Sequence, residues 1–190
     1  MNTMRALLVG CGSISRTWLK AVPGIPGLAV VGLVDVDESR ARSRAAEFGL
    51  DNAGVHADLG AALEQARPDV VFDCTVPEAR VKVIPAALAA GCHVLCEKPL
   101  ADSLENARRI VEASRRAGRV CAVMQNRRFL PDIARLKALA ESGRIGRLTG
   151  VDADFYLGAH FGGFRDRMEH VLLLDMAIHH FDMARFISGA

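Results

Sequence analysis

A repeated alternation of short, unbroken apolar runs with helix-patterned stretches constrains the fold of this chain more than any other feature. Ala6-Leu7-Leu8-Val9 ends in a glycine, and Leu28 to Val34 ends at Asp35. Val55-His56-Ala57, Asp69 to Thr75, His93 to Glu97 and Val120 to Met124 follow. Helical patterns fill the gaps: Ile14 to Val22, Ser39 to Phe48, Asp58 to Ala66, Ala79 to Ala90, and Asp102 to Gly118. Strands without polar alternation are buried on both faces, the condition of a parallel sheet covered by helices on both sides. Right-handed crossovers between such strands give a doubly wound α/β fold. Pro23-Gly24, Gly49, Gly91 and Gly118 punctuate the helices. Pro85 predicts a kink or a late start in the fourth helix, and Asp102 with Glu105 has capping-box spacing.

The rhythm changes after Gln125. A helix is predicted from Pro131 to Glu141, then a strand from Leu148 to Leu157. In that strand Val151, Ala153, Phe155 and Leu157 alternate with Asp152, Asp154 and Tyr156. A glycine-rich loop from Gly158 to Gly163 leads to a strongly apolar helix from Val171 to Ile187. The chain therefore reads as one domain over 1–124 and the start of an α+β domain over 125–190.

Chemistry-bearing residues fall at the ends of these elements. Gly10-Cys11-Gly12-Ser13-Ile14-Ser15 lies between the first strand and the first helix. There Gly10 allows a tight turn, Gly12 lets a pyrophosphate approach the backbone, and helix N–H groups favour an anion. Ser15 replaces the third glycine of that fingerprint. Asp35, ending the second strand, has the spacing of an acid that binds a ribose 2′-hydroxyl and repels a 2′-phosphate. This favours NAD over NADP, with Arg40 the residue that could reverse the preference. Glu97-Lys98-Pro99 puts a lysine at a strand's carboxyl end, where ligands bind in open α/β sheets, with a proline fixing the next peptide. Alone, it reads rather as a solvated surface Glu-Lys pair capping a strand end. Asp175, His179 and Asp182 share one face of the apolar helix at i, i+4 and i+7. A histidine oriented by a carboxylate one turn away is a general-base arrangement; a buried Asp-His bond that only fixes packing has the same pattern. His180 points about a quarter-turn away.

Composition removes other classes. The formal charge of +2 is too small to argue for nucleic acid or a membrane surface. Arg40-Arg42-Arg44 and Arg108-Arg109 read as solvated helix faces. The start of the chain lacks a basic, then apolar, secretory pattern, no stretch has the apolar length of a membrane span, and the 5 cysteines read as buried reduced thiols. Cys92 and Cys96 lack the second pair a zinc site needs. A cytoplasmic protein without bound metal is expected.

Gly10-Cys11-Gly12, Thr75-Val76-Pro77, Gly91 through Leu100, Gln125-Asn126-Arg127-Arg128-Phe129, and Asp175 through Asp182 occur in the order of the Gfo/Idh/MocA oxidoreductases. The chain resembles that glucose–fructose oxidoreductase and inositol dehydrogenase family over essentially its whole length. The resemblance implies an NAD-binding Rossmann domain, then an α+β domain with a large open sheet. It implies cofactor contacts at Gly10, Gly12, Ser13, Ile14, Asp35, Thr75, Pro77, Glu97 and Lys98. Lys98 becomes the substrate-polarising lysine, Asp175 and His179 the catalytic pair, and Lys98-Pro99 a cis peptide. The implied activity is hydride transfer between NAD(P) and a polyol, sugar or inositol-like alcohol. Tyr156, His160 and Arg165, on the strand and glycine-rich loop, are candidate substrate contacts or, the blander reading, solvated loop residues, and a homo-oligomer is compatible with the family. Val81 stands where the family often has a histidine, and only one strand of the second sheet is visible, so the chain reads as truncated. A catalytically silent NAD(P)-binding regulator, or a remnant of the family, is the alternative.

Overall fold

The structure, a computed structural model, describes residues 3–156, 158 and 162–189, with the side chain of Arg167 left aside. It divides into two compact units, Met1–Met124 and Gln125–Ala190.

The first unit is a 6-stranded sheet whose strands are β1 (Met4–Val9), β2 (Leu28–Val34), β3 (Gly54–His56), β4 (Val70–Asp73), β5 (His93–Cys96) and β6 (Cys121–Val123). Their order is β3-β2-β1-β4-β5-β6 and every pairing is parallel. This is the doubly wound order in which the strand sequence reverses between β1 and β4. Helices α1 (Ser15–Ala21), α2 (Glu38–Glu47), α3 (Leu59–Ala66), α4 (Pro77–Ala89) and α5 (Leu104–Ala117) make the crossovers.

The unbroken apolar runs explain the layering. Side chains alternate across a strand with period two, so β1 feeds both faces. Leu7 and Val9 join Val71, Ile84, Leu88, Val94 and Ile110 on one side. Ala6 and Leu8 join Trp18, Leu19, Leu33 and Phe72 on the other. Each fully buried leucine contributes roughly 1.5–3 kcal/mol of transfer free energy.

Local chemistry sets the helix starts. Asp37 accepts the Ser39 N–H ahead of α2, and Asp58 accepts the Ala61 N–H at 2.8 Å ahead of α3. The cap of α5 is Ser103, whose hydroxyl accepts the Asn106 N–H at 3.2 Å. The predicted Asp102–Glu105 box does not form, because Asp102 bonds the Asn106 side chain instead. Helix α4 begins at Pro77, where a missing N–H costs nothing, and continues through Pro85.

In the second unit a 3₁₀ turn at Asn126–Phe129 precedes α6 (Pro131–Glu141). A further 3₁₀ turn covers Gly163–Arg167. The apolar helix is composite: a π-helical segment at Leu172–Ala177 runs into α7 (Ile178–Ser188). The strand expected over 148–157 is not formed at 148–156, and Leu157 lies outside the described residues. Alternation selects a face but supplies no partner. Without a neighbour to take its N–H and C=O groups, an extended segment is not a strand. The glycine-rich loop at 158–163 is described only at Gly158, Gly162 and Gly163, and His160 falls outside it. Among the described residues no helix is long and apolar enough to cross a membrane.

Candidate active site

The carboxyl ends of β1, β2, β4 and β5 bring the cofactor candidates to one edge of the first unit. Gly10 leaves β1 with φ +89°, and its N–H donates to Val34 O at 2.8 Å. A Cβ there would lie 2.8 Å from the Cys74 carbonyl carbon and 2.9 Å from Thr75 N. Only glycine allows the β1 turn to lie against the β4 turn so closely. At Gly12 a Cβ would meet nothing within 4 Å, so this part of the turn is open, and Ser13 and Ile14 beside it are exposed. The turn can therefore admit a pyrophosphate at its backbone. Ser15 is buried, and its hydroxyl donates to Gly12 O at 2.6 Å. A serine thus replaces the third glycine by tying down the turn it follows.

Asp35 braces the same turn. Its Oδ2 accepts the Cys11 N–H at 2.8 Å and its Oδ1 accepts the Asp37 N–H at 3.0 Å. Each oxygen keeps a lone pair for a ribose hydroxyl. Burial, with Asp35 nearby, pushes the Cys11 thiol up to about 12, and burial also raises Cys74. Both therefore stay protonated and unreactive.

One arginine expected in solvent is not there. Arg44 of α2 is buried, and its Nη2 donates to Cys11 O and Gly12 O at 3.1 Å each, while Nη1 pairs with Glu47 at 2.7 Å. Arg40 and Arg42 remain exposed, with Arg40 3.3 Å from Asp37 and Arg42 paired to Glu38. Cys11, Gly12, Ser39, Arg40, Ser43 and Arg44 are among the residues lining a hollow of about 440 Å³ beside the turn. The buried Arg44 Nε has no hydrogen-bond partner among the described residues. A cationic hollow next to an open glycine turn suits a dinucleotide's phosphates and ribose.

Beyond β4, Asp73 is buried, and its Oδ1 accepts both the Thr75 N–H at 2.9 Å and the Thr75 hydroxyl at 2.6 Å. Pro77 is buried at the first position of α4. Beyond β5, Glu97 Oε1 accepts the Trp18 Nε1–H at 2.7 Å, and Glu97 Oε2 accepts the Lys98 N–H at 3.3 Å. The Lys98-Pro99 peptide is cis. Lys98 is half-buried. At Val81 the sequence suggested a lost contact. The helix reaches this loop one residue earlier, through Arg80, which bonds Pro99 O and Thr75 O.

The second unit carries Asp175 and His179, both buried. Asp175 lies in the π-helical segment, an irregularity common at functional sites, and its Oδ2 accepts Arg165 Nε at 2.7 Å. Arg165, proposed from sequence as a substrate contact, is thus an ion-pair partner of the catalytic candidate. Asp182 is held by both prongs of Arg128. His180 meets the Phe155 ring at 4.7 Å between centroids. Phe155, Tyr156, Leu172, Leu173, His180 and Phe181 are among the residues lining an 860 Å³ groove within this unit. Trp18, Arg44 and Arg80 were missed by sequence reasoning. A tryptophan on an apolar helix face reads as core, and an arginine on an amphipathic helix reads as solvent-facing, until the tertiary fold supplies the Glu97 carboxylate and the main-chain carbonyls they reach.

Comparison with known proteins identifies relatives over both units. The oxidoreductase family with an NAD-binding Rossmann fold, GFO_IDH_MocA, matches residues 4–125, and the GFO/IDH/MocA C-terminal domain matches residues 133–190. Inositol 2-dehydrogenase 2 of Saccharopolyspora erythraea is 32% identical over 189 residues, covering 98% of this chain and 54% of that protein. The WlbA dehydrogenase of Bordetella pertussis, solved with NADH and UDP-GlcNAcA, aligns with a TM-score of 0.71 at 27% identity, covering 77% of this chain and 42% of that one. KijD10, a 3-ketoreductase of Actinomadura kijaniata solved with NADP, aligns with a TM-score of 0.68 at 27% identity, covering 76% and 46%. The chain spans about half the length of the curated relatives it matches.

Proposed function

The chain belongs to the GFO/IDH/MocA oxidoreductase family, and from that premise we propose that it carries the cofactor site and proton-handling residues of an NAD-dependent dehydrogenase acting on a polyol, sugar or inositol-like alcohol. The observation that carries the reading is the β1–β4 crevice, where Gly10 lies against Cys74 and Thr75 and Gly12 is open.

Gly10, Gly12, Ser13 and Ile14 would receive the dinucleotide's pyrophosphate. Asp35 would hold the adenosine ribose, with Thr75, Pro77, Glu97 and Lys98 beyond β4 and β5 as further contacts. When bound, the nicotinamide supplies the two-electron acceptor for a hydride from the alcohol carbon. His179 takes the hydroxyl proton, and Asp175 orients the imidazole while its own charge is held by Arg165. Lys98 donates a hydrogen bond to the reacting oxygen and offsets its developing negative charge. Asp35 supports NAD over NADP, since a 2′-phosphate would meet its carboxylate. Arg40, exposed and 3.3 Å from Asp37, is the residue that tests this preference: Arg40→Ala should leave NADH binding unchanged.

Cofactor binding has a built-in reporter, because the chain has 1 tryptophan. Energy transfer from Trp18 to added NADH should saturate, with weaker binding of NADPH. Gly12→Asp should abolish the transfer; saturation unchanged in that variant would refute the site. Turnover is tested across a polyol and sugar panel with Lys98→Ala and His179→Ala. Each should lower kcat at least about 100-fold, the usual scale of acid–base catalysis. Full turnover in both would refute the assigned roles.

A further inference from the structure

Lys98 sits between two residues that are each anchored from a different helix. Upstream, Glu97 is bonded through its carboxylate to the Trp18 indole of α1 at 2.7 Å. Downstream, the Pro99 carbonyl oxygen accepts Nη1 of Arg80 from α4. The same guanidinium donates through Nη2 to Thr75 O at 2.5 Å, so Arg80 ties the loop after β5 to the loop after β4. Arg80 is only 2% exposed. Burying a guanidinium is costly unless its donors are satisfied. Here both terminal nitrogens go to main-chain carbonyls of the two loops that hold the cofactor and lysine candidates, while the buried Nε has no hydrogen-bond partner among the described residues. The carboxylate of Asp73, itself buried, lies close enough for the two charges to interact.

We propose that Arg80 is a positioning residue for Lys98: with Trp18 on the other side, it fixes the backbone flanking Lys98, so that side chains of α1 and α4 set where the ammonium can reach. The functional value of this clamp rests on the role given to Lys98 above, but the clamp itself can be tested without it. A lysine on a loop held at both flanks loses less conformational freedom when it engages a ligand, the advantage of preorganisation.

The test is competitive acetylation of the intact chain, with Lys98 labelling read by mass spectrometry against Lys82, which lies on α4 itself. Asp73→Asn/Arg80→Met removes both buried charges together, while an asparagine can still accept from Thr75. In this variant, without NADH, the Lys98 rate relative to Lys82 should rise about fivefold or more. Asp73→Asn alone should leave the ratio at the wild-type value. Arg80→Lys keeps the charge but loses one prong, and should raise the ratio about twofold. Lys82 is already exposed and corrects only for reagent and labelling efficiency; general loosening of the fold is read separately, as an earlier urea midpoint of the Trp18 signal, and the ratio is compared between variants whose midpoints match wild type. A wild-type ratio in the folded double variant overturns the clamp. Should that variant fail to fold, a wild-type ratio in Arg80→Lys overturns it. NADH protection of Lys98 reports separately on the dehydrogenase reading. A changed ratio without any NADH protection keeps the clamp and removes the assigned role of Lys98.

Discussion

The two units of this molecule hold together by different physics. In the first, strands supply apolar side chains to both faces of the sheet, and two buried clusters result. In the second, among the described residues, Ile187 is the buried apolar side chain, and Asp175 and His179 are buried with it. Leu172, Leu173, Leu174, Tyr156 and Phe181 are exposed. Cohesion there comes from charge and rings: Arg128 grips Asp182, and Lys137 sits over the Phe186 ring at 4.8 Å while donating to Phe186 O at 2.9 Å. Both units are apolar in sequence, but among the described residues only the first contains the partners that its own strand patterns require. Apolar content alone does not make a core; the backbone beneath it must also find hydrogen bonds.

The largest expected effect comes from breaking the first unit at its tightest point. Gly10→Val forces a β-branched residue into φ +89° with its Cβ 2.8 Å from the Cys74 carbonyl carbon. A cost of about 4 kcal/mol or more is expected, from backbone strain added to overlap with main chain that cannot yield. Urea unfolding followed by Trp18 fluorescence would show it, since that probe lies in the first unit. A midpoint near wild type would mean that the β1 and β4 turns can separate freely.

Next in size is a matched pair that tests the contrast directly. Leu8 is fully buried, whereas Leu173 is 52% exposed. Leu8→Ala should cost about 3 kcal/mol, the scale of a leucine truncated in a close-packed core. Leu173→Ser should stay within about 0.5 kcal/mol, as exposed substitutions do. Leu8 is read by the Trp18 transition and Leu173 by hydrogen exchange of α6 and α7 amides. A Leu173 cost comparable to that of Leu8 would show that the second unit has a core after all.

This contrast also marks what was legible in the sequence. The strands of the first unit were readable because burial on both faces leaves an unbroken apolar run. Gly10, Asp35 and Lys98 were readable because they terminate those runs. The 148–157 strand was misread because its alternation was genuine but its partner strand is not among the described residues. Arg80, Arg44 and Trp18 were invisible for a different reason. Their side chains act over long sequence separations, as in the links from Arg80 to Pro99 and from Trp18 to the Glu97 carboxylate, and the two arginines bond main-chain carbonyls, which carry no residue-type signal. Asp175 was found as a carboxylate one turn before a histidine, but its bond to Arg165 depends on the intervening loop. The Ser103 cap was missed by one residue, because aspartate and serine are nearly equivalent caps.

A smaller effect separates the units by pH. Burial holds the Asp73 carboxyl above its ordinary value of 3.8, against the opposing pull of the Thr75 bonds and Arg80. The folded state therefore binds this proton more tightly than the unfolded chain does. Asp73 favours folding most at pH below the ordinary carboxylate range, and that contribution falls as pH rises to the elevated folded value. The slope is at most about 1.4 kcal/mol per pH unit. Asp73→Asn should flatten this part of the Trp18-detected stability profile and leave exchange in α6 and α7 unchanged. A profile as steep in the variant as in wild type would assign the dependence to another group.

The smallest effect lies in the second unit, where it tests whether charge substitutes for a core. Asp182 holds Arg128 in its charged form through their hydrogen bonds, and the pair is partly exposed, at 34% and 13% for the two side chains. A double-mutant cycle over Arg128→Ala and Asp182→Ala should give a coupling of about 1 kcal/mol, the upper end for a pair in partial contact with water. Arg128 also stands over the Phe186 ring at 5.3 Å, so its single truncation should exceed the coupling and Asp182→Ala should cost less. Salt separates these contributions. At about 1 M the screening length shrinks to roughly 3 Å, so the Arg128–Asp182 coupling should fall while the cost of Leu8→Ala persists, because transfer of apolar surface is not screened. A coupling that survives high salt undiminished would mean that the pair is shielded from water as thoroughly as the first unit's core, and the physical distinction between the two units would disappear at that point.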